Sequence, residues 1–399
     1  MLSLSRFHNK CYNQSRILSR VCWRDPLMNT LLFFIEIALV LAALFAVQIP
    51  VRKSGKKLLR TVVFIIKLLL IPTAAFLFVA IDTGFVYKSG SFLCAVYTAL
   101  IADSAADAAE FLFRCFRRNK KDERGRSCDL KRIVVLGIVF CIALTVYGFV
   151  NSRQYVRTVH EWNAEGLTQP HIFAFVSDIH AGTAQPVETL HDLCRSINES
   201  KPEFVILGGD VTDEFTTLDE MKSAYAILSE IEAPVYFIYG NHDRQPGSAY
   251  LRGRTYSDEQ LTEAIRGAGI IILQDEYVKV SDDLMLLGRE DLSMEGSRKD
   301  WKDLPERDAG EYALVVADHA PYDNDQLLEE RSALQISGHT HAGQLWPLQI
   351  IYRAFGYQAY GEFNYPGTLL YVSAGASLWK APLRTEEHCE WELITLKPY

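Results

Sequence analysis

The stretch Phe204-Val205-Ile206-Leu207-Gly208-Gly209-Asp210-Val211-Thr212-Asp213 decides the fold class. Four apolar residues read as a buried strand, two glycines let the chain turn tightly, and carboxylates follow at once. The same grammar recurs on either side. His171–Val176 reads as a strand running into Asp178-Ile179-His180, and Val235–Tyr239 as one ending at Gly240-Asn241-His242-Asp243. About thirty residues separate these strings, one strand–helix–strand unit, so all three can emerge at the same end of one sheet. Two more follow: His319 after the apolar run Tyr312–Ala317, and Gly338-His339-Thr340-His341 after Leu334–Ile336.

Helical patterns alternate with these strands at Pro186–Asn198, Leu218–Ile231 and Glu259–Ala268. The first places Val187, Leu190, Leu193, Cys194 and Ile197 on one face. Further strands are expected at Ile270–Leu273, Leu284–Leu287, Leu369–Val372 and Trp391–Leu396. Periodicity alone therefore gives an α/β class, in which ligands gather at the carboxyl ends of strands. Every polar side chain in the five strings is a carboxylate, imidazole or carboxamide, the ligands of hard and borderline divalent metals. Taken singly the strings are weak. An Asp-x-His is more often a surface turn than a ligand pair, and His319 alone could end any strand.

The 399 residues suffice for two or three units, and the net charge of −8 hides a division. Residues 1–150 hold 21 Lys and Arg against 9 Asp and Glu, whereas residues 151–399 hold 20 against 40. An acidic half of this kind would repel a nucleic-acid backbone, so no nucleic-acid partner is expected. There is no Cys-x-x-Cys, which argues against a structural zinc knuckle. Cys194 and Cys389 are the only cysteines of the acidic half; they could pair if that half lies outside the cell, and two unpaired thiols are the favoured reading.

The basic half reads as membrane. Thr30–Ile49, Leu58–Ile81 and Arg132–Val150 are apolar runs of spanning length. Ser91–Phe113 carries Asp103, Asp107 and Glu110 at helical spacing on one face, so it is either an amphipathic surface helix or a fourth span with its acids turned inward. Basic loops at 51–60 and 114–132 belong on the cytoplasmic side, and the loop 82–90 outside. That parity makes Ser91–Phe113 cross and delivers residue 151 onward to the exterior. It also puts the basic residues 1–27 outside, a conflict resolved by taking Met28 as the start. The expected organisation is a basic tail at 1–27, a transmembrane region of four helices at 28–150, a linker at 151–170 and a catalytic domain at 171–399.

Set and order of the five strings, D-x-H, G-D-x-x-D, G-N-H-D, H and G-H-x-H, resemble the calcineurin-like metallophosphoesterase family over residues 171–399. Five of the ten histidines fall in register with that one pattern. Gly338-His339-Thr340-His341-Ala342-Gly343-Gln344 is similar to the extended last block of a membrane-anchored bacterial subgroup. Gly375-Ala376-Ser377-Leu378-Trp379 with Arg384 is similar to its closing loop. Ala342 and Ala376 depart from the glycine usual there. The resemblance implies a four-layer sandwich, two mixed β-sheets flanked by helices, preceded here by an all-α transmembrane region.

It also implies two divalent cations, of manganese, iron or zinc, sharing Asp210. Asp178, His180 and His341 would complete one set of ligands; Asn241, His319 and His339 would complete the other. Such a pair acidifies a water and clamps a phosphate ester for in-line attack. His242 would face the leaving group as an acid or phosphoryl contact. Asp243 is expected to hydrogen-bond His242 and hold its orientation, and Asp213 to buttress the loop. The function implied is a membrane-tethered, outward-facing phosphoesterase acting on a phosphate ester or pyrophosphate, with a lipid headgroup or envelope precursor as candidate substrate. The aromatic stretch Leu345–Phe363 reads either as a packed loop or as a lip dipping into the bilayer interface. Two other readings stand beside the enzyme: a catalytically silent binding module of the same fold, and a transport or sensing unit built from the helices around Lys67, Asp103, Asp107 and Glu110.

Overall fold

The structure, a computed structural model, describes residues 26–53, 56–80, 86–117, 125–244, 255–294, 296–305, 312–322, 334–379 and 382–399. The basic tail before residue 26, residues 82–85 of the loop 82–90 and residues 118–124 of the second basic loop lie outside them. The chain divides into two compact units, Met1–Tyr147 and Gly148–Tyr399.

The first is helical: α1 (Pro26–Lys53), α2 (Lys57–Ala80), α3 (Val86–Arg117) and α4 (Gly125–Asn151). Its burial is inverted relative to a water-soluble bundle. Ile35, Leu39 and Val47 on α1, Val62, Ile65 and Leu69 on α2, and Val135, Val139 and Ile142 on α4 are exposed, while Gln48, Lys67, Thr98 and Asp103 are buried. The stretch Ser91–Phe113 is the middle of α3, and its Cys94, Ala95, Tyr97, Ala99, Ala102 and Ala106 are all enclosed. Small side chains of this kind let helix backbones approach closely. Ile133–Asn151 is long and apolar enough to cross a bilayer, and Ile35–Gln48 is a shorter apolar stretch.

In the second unit β1 (Val156–Ala164), β12 (Glu390–Pro398), β2 (His171–Val176), β3 (Phe204–Leu207), β4 (Val235–Phe237) and β5 (Ile271–Ile272) form a six-stranded sheet in that order. The other sheet runs β10 (Gly361–Tyr365), β11 (Thr368–Val372), β9 (Leu334–Ser337), β8 (Ala313–Ala317), β7 (Leu284–Gly288), β6 (Glu276–Lys279). Both are mixed. The strands β2, β3, β4 and β5 pair in parallel, as do β7, β8, β9 and β11, while β12 against β2, β10 against β11 and β6 against β7 are antiparallel.

One core fills the space between the sheets: Phe173, Phe175, Ile206, Ile238, Leu286, Val315, Ile336, Tyr371 and Ile394 pack there. Each such side chain contributes about 1.5–3 kcal/mol by leaving water. A second core joins the other face of the first sheet to α5 (Leu190–Ser200), α6 (Leu218–Leu228) and α8 (Asp258–Gly267), numbering the helical turn Asn241–Arg244 as α7. Thr217 and Ser257 cap α6 and α8 with capping boxes closed by Glu220 and Gln260, which fixes where each helix starts. Trp301 and its neighbours cover the outer face of the second sheet. Any further helix over that face at 323–333 lies outside the described residues.

One expectation fails. The stretch 151–170 is no simple linker, because Val156–Ala164 pairs with β12 in parallel over its whole length. Its exposure alternates residue by residue. The inward face carries Thr158, His160 and Trp162 between Val156 and Ala164, so its period of two lacks a sustained aliphatic signal. The cysteines Cys194 and Cys389 are buried and free.

Candidate metal centre

Five parallel strands deliver the polar residues to one end of the two sheets, each at its carboxyl terminus. Asp178 and His180 follow β2, Asp210 follows β3, Asn241 follows β4, His319 follows β8, and His339 and His341 follow β9. The structure brings all seven together. Asp178, His180 and His341 form one group able to hold a cation, and Asp210, His319 and His339 another, each with donor atoms within 4.8 Å of one another. In the first group His180 Nε2 is 3.2 Å from His341 Nε2, which is 3.5 Å from Asp178 Oδ1. Asn241 joins the second, its Oδ1 3.1 Å from His319 Nε2 and 2.7 Å from His339 Nδ1. Asp210 Oδ2 faces both groups, 3.1 Å from His319 Nε2 and 4.0 Å from His180 Nε2. Ligands about 2.1 Å from one ion stand about 3.0 Å apart in an octahedron and about 3.4 Å apart in a tetrahedron. The observed separations are of that size, so the donor set fits two divalent cations sharing one carboxylate.

The backbone is bent to achieve this. Asp178, His180, Asp210, His339 and His341 have φ of 55°, 47°, 54°, 72° and 49°, a left-handed conformation that costs a non-glycine residue roughly 1–2 kcal/mol. Strain gathered so densely marks a place where geometry is held by its surroundings. Glycine is needed at two neighbours. A Cβ on Gly240 would lie 2.2 Å from Asp210 Oδ1, and one on Gly338 2.3 Å from Asp178 Oδ2. The two alanines that depart from the family pattern differ. Ala342 has φ of 50° and bears the left-handed cost, whereas Ala376 is not among the positive-φ residues and donates its N–H to Ser177 O at 2.8 Å.

A surrounding layer sets which ring nitrogen faces inward. His319 Nδ1 donates to Gly208 O at 2.8 Å and His341 Nδ1 to Ser377 O at 3.3 Å, while His180 Nδ1 faces Asp213 Oδ2 at 3.4 Å. Each arrangement leaves Nε2 for a cation. Arg384 is fully buried and ties the closing loop to the site, donating to His341 O, Ala374 O and Ser377 O. Asp213 buttresses its loop as expected, accepting from Phe215 N and Thr216 N.

Asp243 does not do what the sequence reading assigned to it. It accepts from the N–H groups of Asp210, Gly240 and Thr212 at 2.8, 2.9 and 3.0 Å, and so fastens two ligand loops together. The reason is local. Asn241–Arg244 is a helical turn, and successive side chains on a helix point about 100° apart. The partner of His242 is instead Glu214, whose Oε2 lies 2.7 Å from His242 Nδ1 and which is 1% exposed. Burial opposes the imidazolium of His242, but Asp210 and Glu214 overcome it and raise the pKa to about 9. Burial together with the neighbouring histidines holds His339 down at about 4 and His341 at about 3, so both remain neutral, as ligands must.

Removing the charge at Glu214 has a signed consequence. In Glu214→Gln the imidazolium loses an anionic partner, so the His242 pKa falls by about one unit or more. If protonated His242 carries the reaction, the alkaline limb of kcat/KM moves to lower pH by the same amount, with bound metal unchanged. A pH–rate profile with parallel metal analysis reads both; an unmoved limb would detach Glu214 from the chemistry.

Aromatic rings border the centre. The Tyr322 ring is 5.4 Å from that of His339, and the Trp379 ring 5.8 Å from that of His242. In the stretch Leu345–Phe363, Trp346, Ile350, Phe355 and Tyr357 are exposed.

Residues 171–343 match the calcineurin-like phosphoesterase family. Similar proteins include a Danio rerio transmembrane protein with metallophosphoesterase domain, 29% identical over 315 residues, covering 72% of this chain and 69% of that protein. An uncharacterized metallophosphoesterase of Helicobacter pylori is 27% identical, covering 56% of this chain and 59% of its own length. The phosphodiesterase YaeI of Escherichia coli is 28% identical, covering 44% of this chain and 62% of that protein. The chain thus spans about three fifths of the last two. Among solved structures, a dimetal phosphatase from Danio rerio aligns at 11% identity with a TM-score of 0.35, over 57% of this chain and 93% of that one.

Proposed function

We propose that this chain, whose residues 171–343 match the calcineurin-like phosphoesterase family, is an outward-facing, multi-pass membrane enzyme, a metal-dependent hydrolase of phosphoric ester bonds. Its substrate is a phosphate ester or pyrophosphate presented at the bilayer, such as a lipid headgroup or envelope precursor. The observation that carries the catalytic reading is Asp210, facing both ligand groups from between them. Two cations, if held there, would supply an acidified water and positive charge for the phosphoryl oxygens. The remaining work falls to side chains. Asp178, His180 and His341 would hold one cation, Asn241, His319 and His339 the other, and Asp243 keeps the Asp210 and Gly240 loops in register. His242, its Nδ1–H committed to Glu214, carries a transferable proton on Nε2 for the departing oxygen.

Membrane placement is supported by the apolar outer faces of α1, α2 and α4 around a polar interior, the inverse of a water-soluble bundle. The relative named as a transmembrane protein agrees with it. The string Gly338–Gln344 supports the membrane-anchored subgroup, bacterial in the likeness that suggested it. The lipid substrate is supported by the exposed Trp346, Ile350 and Phe355, side chains suited to a bilayer interface.

Intact cells producing the full chain should hydrolyse an added membrane-impermeant phosphodiester or phosphomonoester in manganese buffer. Hydrolysis only after permeabilisation would contradict the outward orientation. No hydrolysis of any ester by the metal-loaded, solubilised protein would contradict the enzyme and favour the silent binding module.

A further inference from the structure

The second compact unit begins at Gly148, inside α4, so the last turn of that helix belongs to the body that carries the metal ligands. Its contacts there are specific. Gly148 O accepts from Ser152 N at 3.2 Å and also from Arg384 N at 3.0 Å. Asn151 turns its amide onto the same segment, donating Nδ2 to Arg384 O at 3.3 Å and to Glu387 O. Helix ends leave backbone carbonyls short of partners, and here the closing loop supplies one. Both main-chain polar groups of Arg384 are thus held by α4.

The Arg384 side chain runs the other way, into the metal centre. Its Nη1 donates to His341 O at 3.1 Å, and its Nη2 to Ser377 O at 2.8 Å and Ala374 O at 2.9 Å. Ser377 O is also the acceptor of His341 Nδ1, at 3.3 Å. One guanidinium therefore fixes both the backbone of His341 and the carbonyl that orients its ring. His341 needs such support, because its φ of 49° is unfavourable for a residue with a side chain.

We propose that the last turn of α4 is a positioning element of the metal centre: Gly148 and Asn151 hold Arg384, and Arg384 holds His341 as a cation ligand. The proposal rests on the two-cation reading of the site and is independent of where the chain stands relative to a bilayer. Packing supports it beside the hydrogen bonds. A Cβ on Gly148 would lie 3.1 Å from Leu383 Cβ and 3.3 Å from Arg384 O, so helix and loop meet without room for a side chain. Leu383 and Arg384 are fully buried, so a displacement of either passes to its packed neighbours. Among the described residues, the hydrogen bonds of Arg384 reach His341 and the closing loop, not Asn241, His319 or His339. One of the two cations is therefore coupled to α4 and the other is not.

Manganese titration of the full-length, solubilised, metal-free protein reads this as an affinity for each ion. Asn151→Ala should weaken one ion by about tenfold, the low end for groups that orient a ligand, and leave the other unchanged. In a His341→Ala background the better-held ion is the one in the other group, and Asn151→Ala should add nothing to its loss. Equal weakening of both ions, or a further loss in His341→Ala, would make Asn151 a general support of the fold and overturn the proposal. Full affinity for both ions in Asn151→Ala would overturn it too. Gly148→Ala, which presses on the loop from the helix side, carries the same comparison should Asn151→Ala fail to fold. Hydrogen exchange gives a second readout that needs no turnover. Manganese should slow exchange at the Ser152 and Arg384 amides, since coupling between two places is reciprocal; exchange indifferent to the metal would contradict it. Wild-type protein that binds fewer than two ions removes the two-cation reading and this proposal together. Wild-type protein that binds both, with variants indistinguishable from it, removes this proposal alone.

Discussion

Asp210→Asn lowers phosphoesterase turnover by about 10³-fold, roughly 4 kcal/mol of barrier, and leaves the fold standing. The side chain at this position has two tasks. Oδ1 accepts from His242 N at 2.7 Å, and Oδ2 stands between His319 and His180. An amide oxygen can keep the first contact but carries no charge, and its NH₂ cannot ligate. Burial opposes the ionised carboxyl, yet His319 and His242 hold its pKa far below the usual range, so wild-type Asp210 is charged at every working pH. The variant should bind fewer than two metal ions per chain while its melting temperature changes little. Activity surviving within tenfold of wild type would mean the two ligand groups do not work as a pair.

His242→Ala should behave differently, and the difference is the point. It costs about 10²–10⁴-fold in turnover for an ester whose leaving group needs a proton, the usual range for a lost general acid. Metal content should stay at the wild-type value, because His242 belongs to neither ligand group. With a nitrophenyl ester, whose leaving group departs unprotonated, the loss should shrink to about tenfold. The same loss on both esters would instead make His242 a phosphoryl contact. Metal loss in this variant would move it into the cage.

The seven gathered residues were legible because each follows closely on a short apolar strand, often through a glycine, and strand ends are where parallel sheets present side chains. The strands Phe204–Leu207 and His171–Val176 have the bounds the sequence reading gave them. Pairings at a distance were not legible. Glu214 reaches His242 across 28 residues, and nothing local distinguishes it from a solvated acid beside Asp213. Its signal is burial, which only the tertiary structure supplies. Adjacency in sequence does not bring Asp243 onto His242, because the turn Asn241–Arg244 points the two side chains apart. The strand Val156–Ala164 escaped because an edge strand bearing His160 and Trp162 on its inner face lacks the aliphatic alternation that announces a strand.

Crystals of the manganese-loaded protein, measured for anomalous scattering, test the cage most directly. Two peaks about 3.5–4 Å apart are expected, one bounded by Asp178, His180 and His341, the other by Asn241, His319 and His339, with the Asp210 carboxylate between them. A single peak, or a pair that leaves Asp210 on the outside, would contradict it.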